Sequence, residues 1–104
     1  DSQNVQREIE GKKVLITGAA GSIGSEIVRQ VLHYKPKQVI LLDQAESPMY
    51  ELSLELKNRF KNFDDIAECV IADVRDRLRL EKVFKAFGPE ADRRTLYTEL
   101  GFKR

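Results

Sequence analysis

At 104 residues the chain has room for one small domain, and 41% hydrophobic with 34% charged residues describes a soluble globular unit. The 18 basic and 17 acidic residues leave a net charge of +1, so no long-range field draws the chain to nucleic acid. No apolar run approaches the roughly 20 residues needed to span a membrane. The polar start "DSQNVQREIEG" is read as lacking a signal peptide, which makes a cytoplasmic location the expectation.

The residues "KKVLIT" form a β-branched and leucine run closed by Gly18, a buried strand by composition. From Ile23 the period changes, and Ile23, Ile27, Val31 and Leu32 fall on one helical face. That helix is expected to stop near Tyr34, because Pro36 disfavours helical geometry in Lys35. His33, the only histidine, then favours the dipole at the helix end, and no cluster with metal-ligand spacing surrounds it, so no metal site is expected. "QVILLD" is a second strand, apolar throughout as when helices cover both faces.

Met49, Leu52, Leu56 and Phe60 mark a second helix with Pro48 near its first turn. "KNFDD" reads as a polar connection and "AECVIAD" as a third strand, with its single cysteine, Cys69, a buried reduced thiol. Asp76 suits the cap of a third helix whose buried face is Leu80, Val83, Phe84 and Phe87. Strands joined by helices must run parallel, and right-handed crossovers give the spatial order 3-2-1. The fold class is therefore α/β, a partial Rossmann fold with a three-stranded parallel sheet. Residues 1–10 are an N-terminal extension, 11–89 the half-Rossmann domain and 90–104 an atypical tail. In that tail "EADRRTLYTELGFKR" supplies few apolar residues, so an irregular or helical segment is expected there rather than a central strand.

In "VLITGAAGSIGSEIV" a strand runs into glycines and then a helix, which presents backbone N–H groups and a positive dipole end to a phosphate. Gly18 permits the tight turn, Gly21 lets the backbone approach a pyrophosphate, and Gly24 lets the helix pack closely on the strand. Ser22 and Ile23 offer N–H groups at the first helical turn. The spacing G-x-x-G-x-x-G alone is a weak signal, since such turns are often only turns. Asp43 adds to it: it closes the second strand 19 residues after Gly24, where a carboxylate meets ribose hydroxyls. Asp73 closes the third strand at the same kind of edge. A P-loop is excluded because Ser25, not lysine, follows Gly24.

Together "TGAAGSIGSE", "LLDQAE" and "ADVRD" make residues 10–87 resemble the N-terminal part of the extended short-chain dehydrogenase/reductases. More narrowly, the segment is similar to bacterial polysaccharide-biosynthesis proteins of the CapD type, which include UDP-N-acetylglucosamine 4,6-dehydratases. The resemblance implies that Gly18, Gly21, Ser22, Ile23 and Gly24 cradle the cofactor pyrophosphate. It implies that Asp43, Gln44 and Glu46 line the adenosine ribose, and that Asp73 with Val74 meets the adenine. The implied cofactor is NAD rather than NADP, and the implied substrate of a complete enzyme is a UDP-sugar, oxidised at C4 before water is eliminated across C5 and C6. It also implies a parent associated with the inner membrane. Tyr97 is not part of a Tyr-x-x-x-Lys pair, since Gly101 stands four places on, so no catalytic residue is assigned in this chain.

Two functional readings follow. The first is the NAD(P)-binding part of a nucleotide-sugar dehydratase or epimerase, inactive alone because the second wall of the cofactor crevice is missing. The alternative is a non-catalytic nucleotide-binding or self-assembling module, a homo-oligomer paired through an exposed edge of the first strand.

Overall fold

The computed structural model describes residues 2–87 and 96–97. Its elements run α1 (Ser2–Ile9), β1 (Lys13–Thr17), α2 (Ser22–Leu32), β2 (Gln38–Asp43), α3 (Glu46–Arg59), α4 (Phe63–Ile66), β3 (Ala67–Ile71), α5 (Arg77–Phe87) and β4 (Leu96–Tyr97). All strand pairs are parallel, in the order β3-β2-β1-β4. β1 pairs with β2 from Lys13↔Gln38 to Thr17↔Leu42, and β2 with β3 from Val39↔Ala67 to Asp43↔Ile71. These registers bring the ends of β1, β2 and β3 to one edge of the sheet.

Side-chain alternation along the strands divides the core in two. Val14, Ile16, Val39 and Leu41 face α2 and α3, where they pack with Val28, Val31, Met49, Leu52 and Leu56. Leu15, Ile40 and Leu42 face the other way, against Val83 and Leu80 of α5. With both faces covered, β2 is buried at every position but its ends, which is why "QVILLD" carries no polar alternation. Leu56 has no exposed surface, so its truncation to alanine is expected to cost about 2–5 kcal/mol. Outside the apolar layer, Arg29 of α2 grips Glu55 of α3 with two hydrogen bonds, Nε to Oε2 at 2.7 Å and Nη2 to Oε1 at 3.0 Å. That hydrogen-bonded guanidinium holds the Glu55 carboxyl below its ordinary pKa.

α2 ends at Leu32 and His33 is its C-cap, stacked edge-on against Phe60 with ring centroids 5.2 Å apart. Lys35 then takes φ +55°, the left-handed region, so the residue before Pro36 leaves helical geometry as expected. Asp76 caps α5 by accepting the Arg79 N–H at 3.1 Å.

The structure departs from the sequence reading in five places. The N-terminal residues 2–9 are helical, and Ile9 is buried in the core beside β1. "KNFDD" holds the short α4, folded there because Phe63 is drawn into the core at 3% exposure. Ile23 is 55% exposed, because the buried stripe of α2 is Gly24, Val28, Val31 and Leu32 and Ile23 lies one helical step off it. Cys69 is exposed rather than buried, since among the described residues β3 pairs on one side only and follows the other strands at the sheet's margin. Nearby atoms nonetheless desolvate the sulfur enough to push its pKa up.

The fifth departure concerns the tail. Leu96 and Tyr97 form a strand beside β1, paired Leu15↔Leu96 and Ile16↔Tyr97, so the sheet has a fourth strand where an irregular or helical segment was expected. Backbone pairing, which side-chain composition does not report, decides this element. It also places backbone along the β1 edge that the self-assembly reading required to be open. The remaining tail positions, and the side chains of Phe84 and Phe87, lie outside the described residues.

Candidate functional site

The sheet order reverses at β1, with β2 on one side and β4 on the other, and the glycine turn leaves β1 at that point. Open α/β sheets form their ligand crevices at such reversals. Gly18 has φ +65°, where a side chain would cost about 1–2 kcal/mol. The Gly21 N–H donates back to the Gly18 carbonyl at 3.1 Å, which closes the turn. A Cβ on Gly24 would collide with that same carbonyl, 2.7 Å from its carbon and 3.1 Å from the Ala19 Cα. The first turn of α2 thus rests on the backbone of the turn, a closer seat than the helix-on-strand packing the sequence suggested.

Gly21 is the N-cap of α2, at φ −75° and ψ 171°, with no side-chain cap bond. The helical ladder begins when the Ser25 N–H reaches the Gly21 carbonyl at 2.8 Å. The N–H groups of Ser22, Ile23 and Gly24 precede that ladder, at the positive end of the helix dipole. Ser22 and Ile23 are exposed at this helix entry, and Gly24 is buried behind them.

Asp43, at the end of β2, meets this turn directly. Its Oδ2 accepts the Ala20 N–H at 2.9 Å and its Oδ1 accepts the Ala45 N–H at 2.9 Å. Its carbonyl accepts the Ala72 N–H at 3.0 Å, joining the end of β3 to the same edge. Gln44 and Glu46 follow with exposed side chains, Glu46 in the first turn of α3 where a carboxylate suits the dipole.

Asp73 stands beyond β3, but its carboxylate is engaged by Arg75. Oδ1 accepts the Arg75 backbone N–H at 2.9 Å, and Oδ2 accepts Nη2 at 2.7 Å. These bonds hold the Asp73 carboxyl down at about 2. Val74 is 48% exposed beside it. Of the residues the sequence singled out, Gly18, Gly24 and Asp43 are thus brought together through the turn, while Gly21, Ser22 and Ile23 form its helix entry. Asp73 and Val74 share the edge, with Asp73 tied to a cation. Ala20 and Arg75 were not foreseen. Ala20 acts through its backbone N–H, which no side-chain pattern signals, whereas Asp73 and Arg75 at i and i+2 have the spacing of an Asx turn. Among the described residues no group of three His, Cys, Asp or Glu side chains could hold a metal ion.

Residues 14–92 match the family described as polysaccharide biosynthesis protein. The chain belongs to that family. It is 40% identical over 89 residues to the probable polysaccharide biosynthesis protein EpsC of Bacillus subtilis, a match covering 86% of this chain and 15% of that protein. It is 41% identical over 91 residues to the capsular polysaccharide biosynthesis protein CapD of Staphylococcus aureus, with 88% and 15% covered. The inverting UDP-N-acetylglucosamine 4,6-dehydratase of Campylobacter jejuni is 34% identical over 71 residues, covering 67% of this chain and 20% of that enzyme. The chain therefore spans about 15% of the length of EpsC and CapD.

Among solved structures, Pen from Bacillus thuringiensis superposes with a TM-score of 0.63 at 31% identity, over 81% of this chain and 24% of that one. A short-chain dehydrogenase from Leptospira borgpetersenii with bound NAD+ superposes with a TM-score of 0.53 at 33% identity, over 80% of this chain and 28% of that one. The chain thus has an α/β fold of the short-chain dehydrogenase type. No described helix is long and apolar enough to cross a membrane.

Proposed function

We propose that this chain is the dinucleotide-binding part of a nucleotide-sugar 4,6-dehydratase or epimerase of polysaccharide biosynthesis. The observation that carries the reading is the seat of α2 on the glycine turn. Gly24 has no room for a Cβ, and the N–H groups of Ser22, Ile23 and Gly24 precede the helical ladder. That is a row of backbone donors at a glycine turn and helix N-terminus, the chemistry that receives a pyrophosphate, so the residues fit a dinucleotide. In this reading Gly18, Gly21, Ser22, Ile23 and Gly24 hold the pyrophosphate. Asp43, Gln44 and Glu46 line the ribose, and Asp73 with Val74 borders the adenine. When bound, NAD supplies reversible hydride acceptance. The chain's own contribution is to bind and orient.

The cofactor is NAD rather than NADP, because the Asp43 carboxylate accepts from a ribose 2′-hydroxyl and repels a 2′-phosphate. The α3 cations that could offset that charge are engaged near the far end of the helix, Lys57 with Asp64 at 3.7 Å and Arg59 with Glu55 at 3.2 Å. The substrate class, a UDP-sugar, draws support from the Campylobacter jejuni dehydratase. Calorimetric titration with NAD and NADP tests the reading: NAD binds more tightly, and Asp43→Ala narrows the gap. Tighter binding of NADP would overturn the assignment of Asp43.

A further inference from the structure

Both oxygens of the Asp43 carboxylate accept hydrogen bonds from backbone donors. Oδ2 takes the Ala20 N–H from the glycine turn and Oδ1 takes the Ala45 N–H from the start of α3, each at 2.9 Å. Ala20 lies between the left-handed Gly18 and the N-cap Gly21, so a bond at its amide fixes the middle of the turn. Asp43 is half-buried at the edge, where its carbonyl also accepts the Ala72 N–H, so its backbone is held from a third side.

We infer that Asp43 is a positioning residue for the pyrophosphate cradle: its carboxylate holds the glycine turn in the shape that presents the Ser22, Ile23 and Gly24 N–H groups. This rests on reading the turn as the cradle, and it adds a role separate from any contact with ribose. The two roles are compatible. A carboxylate accepts about four hydrogen bonds, so each oxygen keeps capacity for a ribose hydroxyl after receiving one backbone N–H. Asparagine cannot replace it, because one of the two sites would present NH2 to a backbone N–H, donor against donor.

Inorganic pyrophosphate separates this role from ribose recognition, since it carries no ribose. Removing a negative charge beside a polyanion should by itself tighten binding. A positioning role predicts the opposite sign. The experiment compares the 104-residue chain with its Asp43→Asn variant by amide hydrogen exchange and by pyrophosphate titration followed by NMR. The inference predicts exchange at the Ala20 amide about tenfold faster or more in Asp43→Asn, and pyrophosphate binding weaker by at least about threefold. Unchanged Ala20 exchange, or pyrophosphate binding that is unchanged or tighter, would overturn it. Should Asp43→Asn fail to fold, the unaltered chain still decides: its Ala20 amide must exchange at least about tenfold more slowly than that of Ser22, and equal rates contradict the inference. An unaltered chain that protects Ala20 yet binds no pyrophosphate would sink the cradle reading while leaving the hold of Asp43 on the turn intact.

Discussion

The carbonyl of Gly18 occupies the space that a Cβ on Gly24 would need. The neighbour is backbone, held by the Gly21 N–H and by its place at the end of β1, so it cannot rotate away as a side chain would. A single methyl must therefore push α2 off the turn. Gly24→Ala is expected to destabilise by about 1–3 kcal/mol, and Gly24→Val by more. Each kcal/mol lowers the melting temperature by roughly 4–8 °C in a domain of this size, so thermal unfolding followed by circular dichroism reads the effect directly. An unchanged melting temperature would mean the helix has slack that the structure denies.

Gly21 differs from Gly24 although both belong to one motif. Its φ of −75° and ψ of 171° are open to any residue, so a side chain there brings no backbone strain. Gly21→Val is expected to cost about 1 kcal/mol, the loss of a favoured N-cap residue, which is less than Gly24→Val. NAD binding should be lost in the same variant, because the side chain fills the approach to the helix entry. The opposite pattern, stable binding with a large drop in melting temperature, would show that position 21 faces the protein.

Asp73 and Arg75 make a prediction in pH. The Asp73 carboxyl, held down at about 2 by its bonds to Arg75, lies below the roughly 3.9 of an unfolded aspartate. Whatever the pair contributes to stability is present in full above about pH 4, and is lost as pH falls through about 2. That contribution is small, because the Arg75 side chain is 83% exposed and the pair is screened by solvent and salt. Carbon-detected NMR titration should place the Asp73 midpoint near 2 and return it toward the ordinary aspartate value in Arg75→Ala. A midpoint indifferent to that substitution would show that the pair does not form in solution.

The strands β1, β2 and β3 and the longer helices were legible in the sequence because their signals are local. The apolar run of β2, the helical spacing of Met49, Leu52 and Leu56, and the stop imposed on α2 by Pro36 each act through neighbouring residues. The misreadings have a common cause in tertiary context. Phe63 folds a connection into α4 only because a core is there to receive it, and Cys69 is exposed because β3 lies at the sheet's margin. Leu96 and Tyr97 join the sheet by backbone pairing with β1, which composition cannot report. At the candidate site, the glycine turn and the strand ends that meet it were readable. The engagement of Asp43 with Ala20 was not, since it is a side chain meeting a main-chain amide 23 positions away.

The central claim is that the N-terminus of α2 holds a dinucleotide pyrophosphate, and an amide-resolved NMR titration with NAD tests it most directly. A pyrophosphate held by backbone donors at one helix entry is expected to bind weakly, with a dissociation constant on the order of millimolar, or about 4 kcal/mol. The largest shifts should fall on the amides of Ser22, Ile23 and Gly24, should saturate along a single curve, and should be reproduced by ADP-ribose. Shifts confined to other elements, or none at Ser22, Ile23 and Gly24 at saturating NAD, would contradict it.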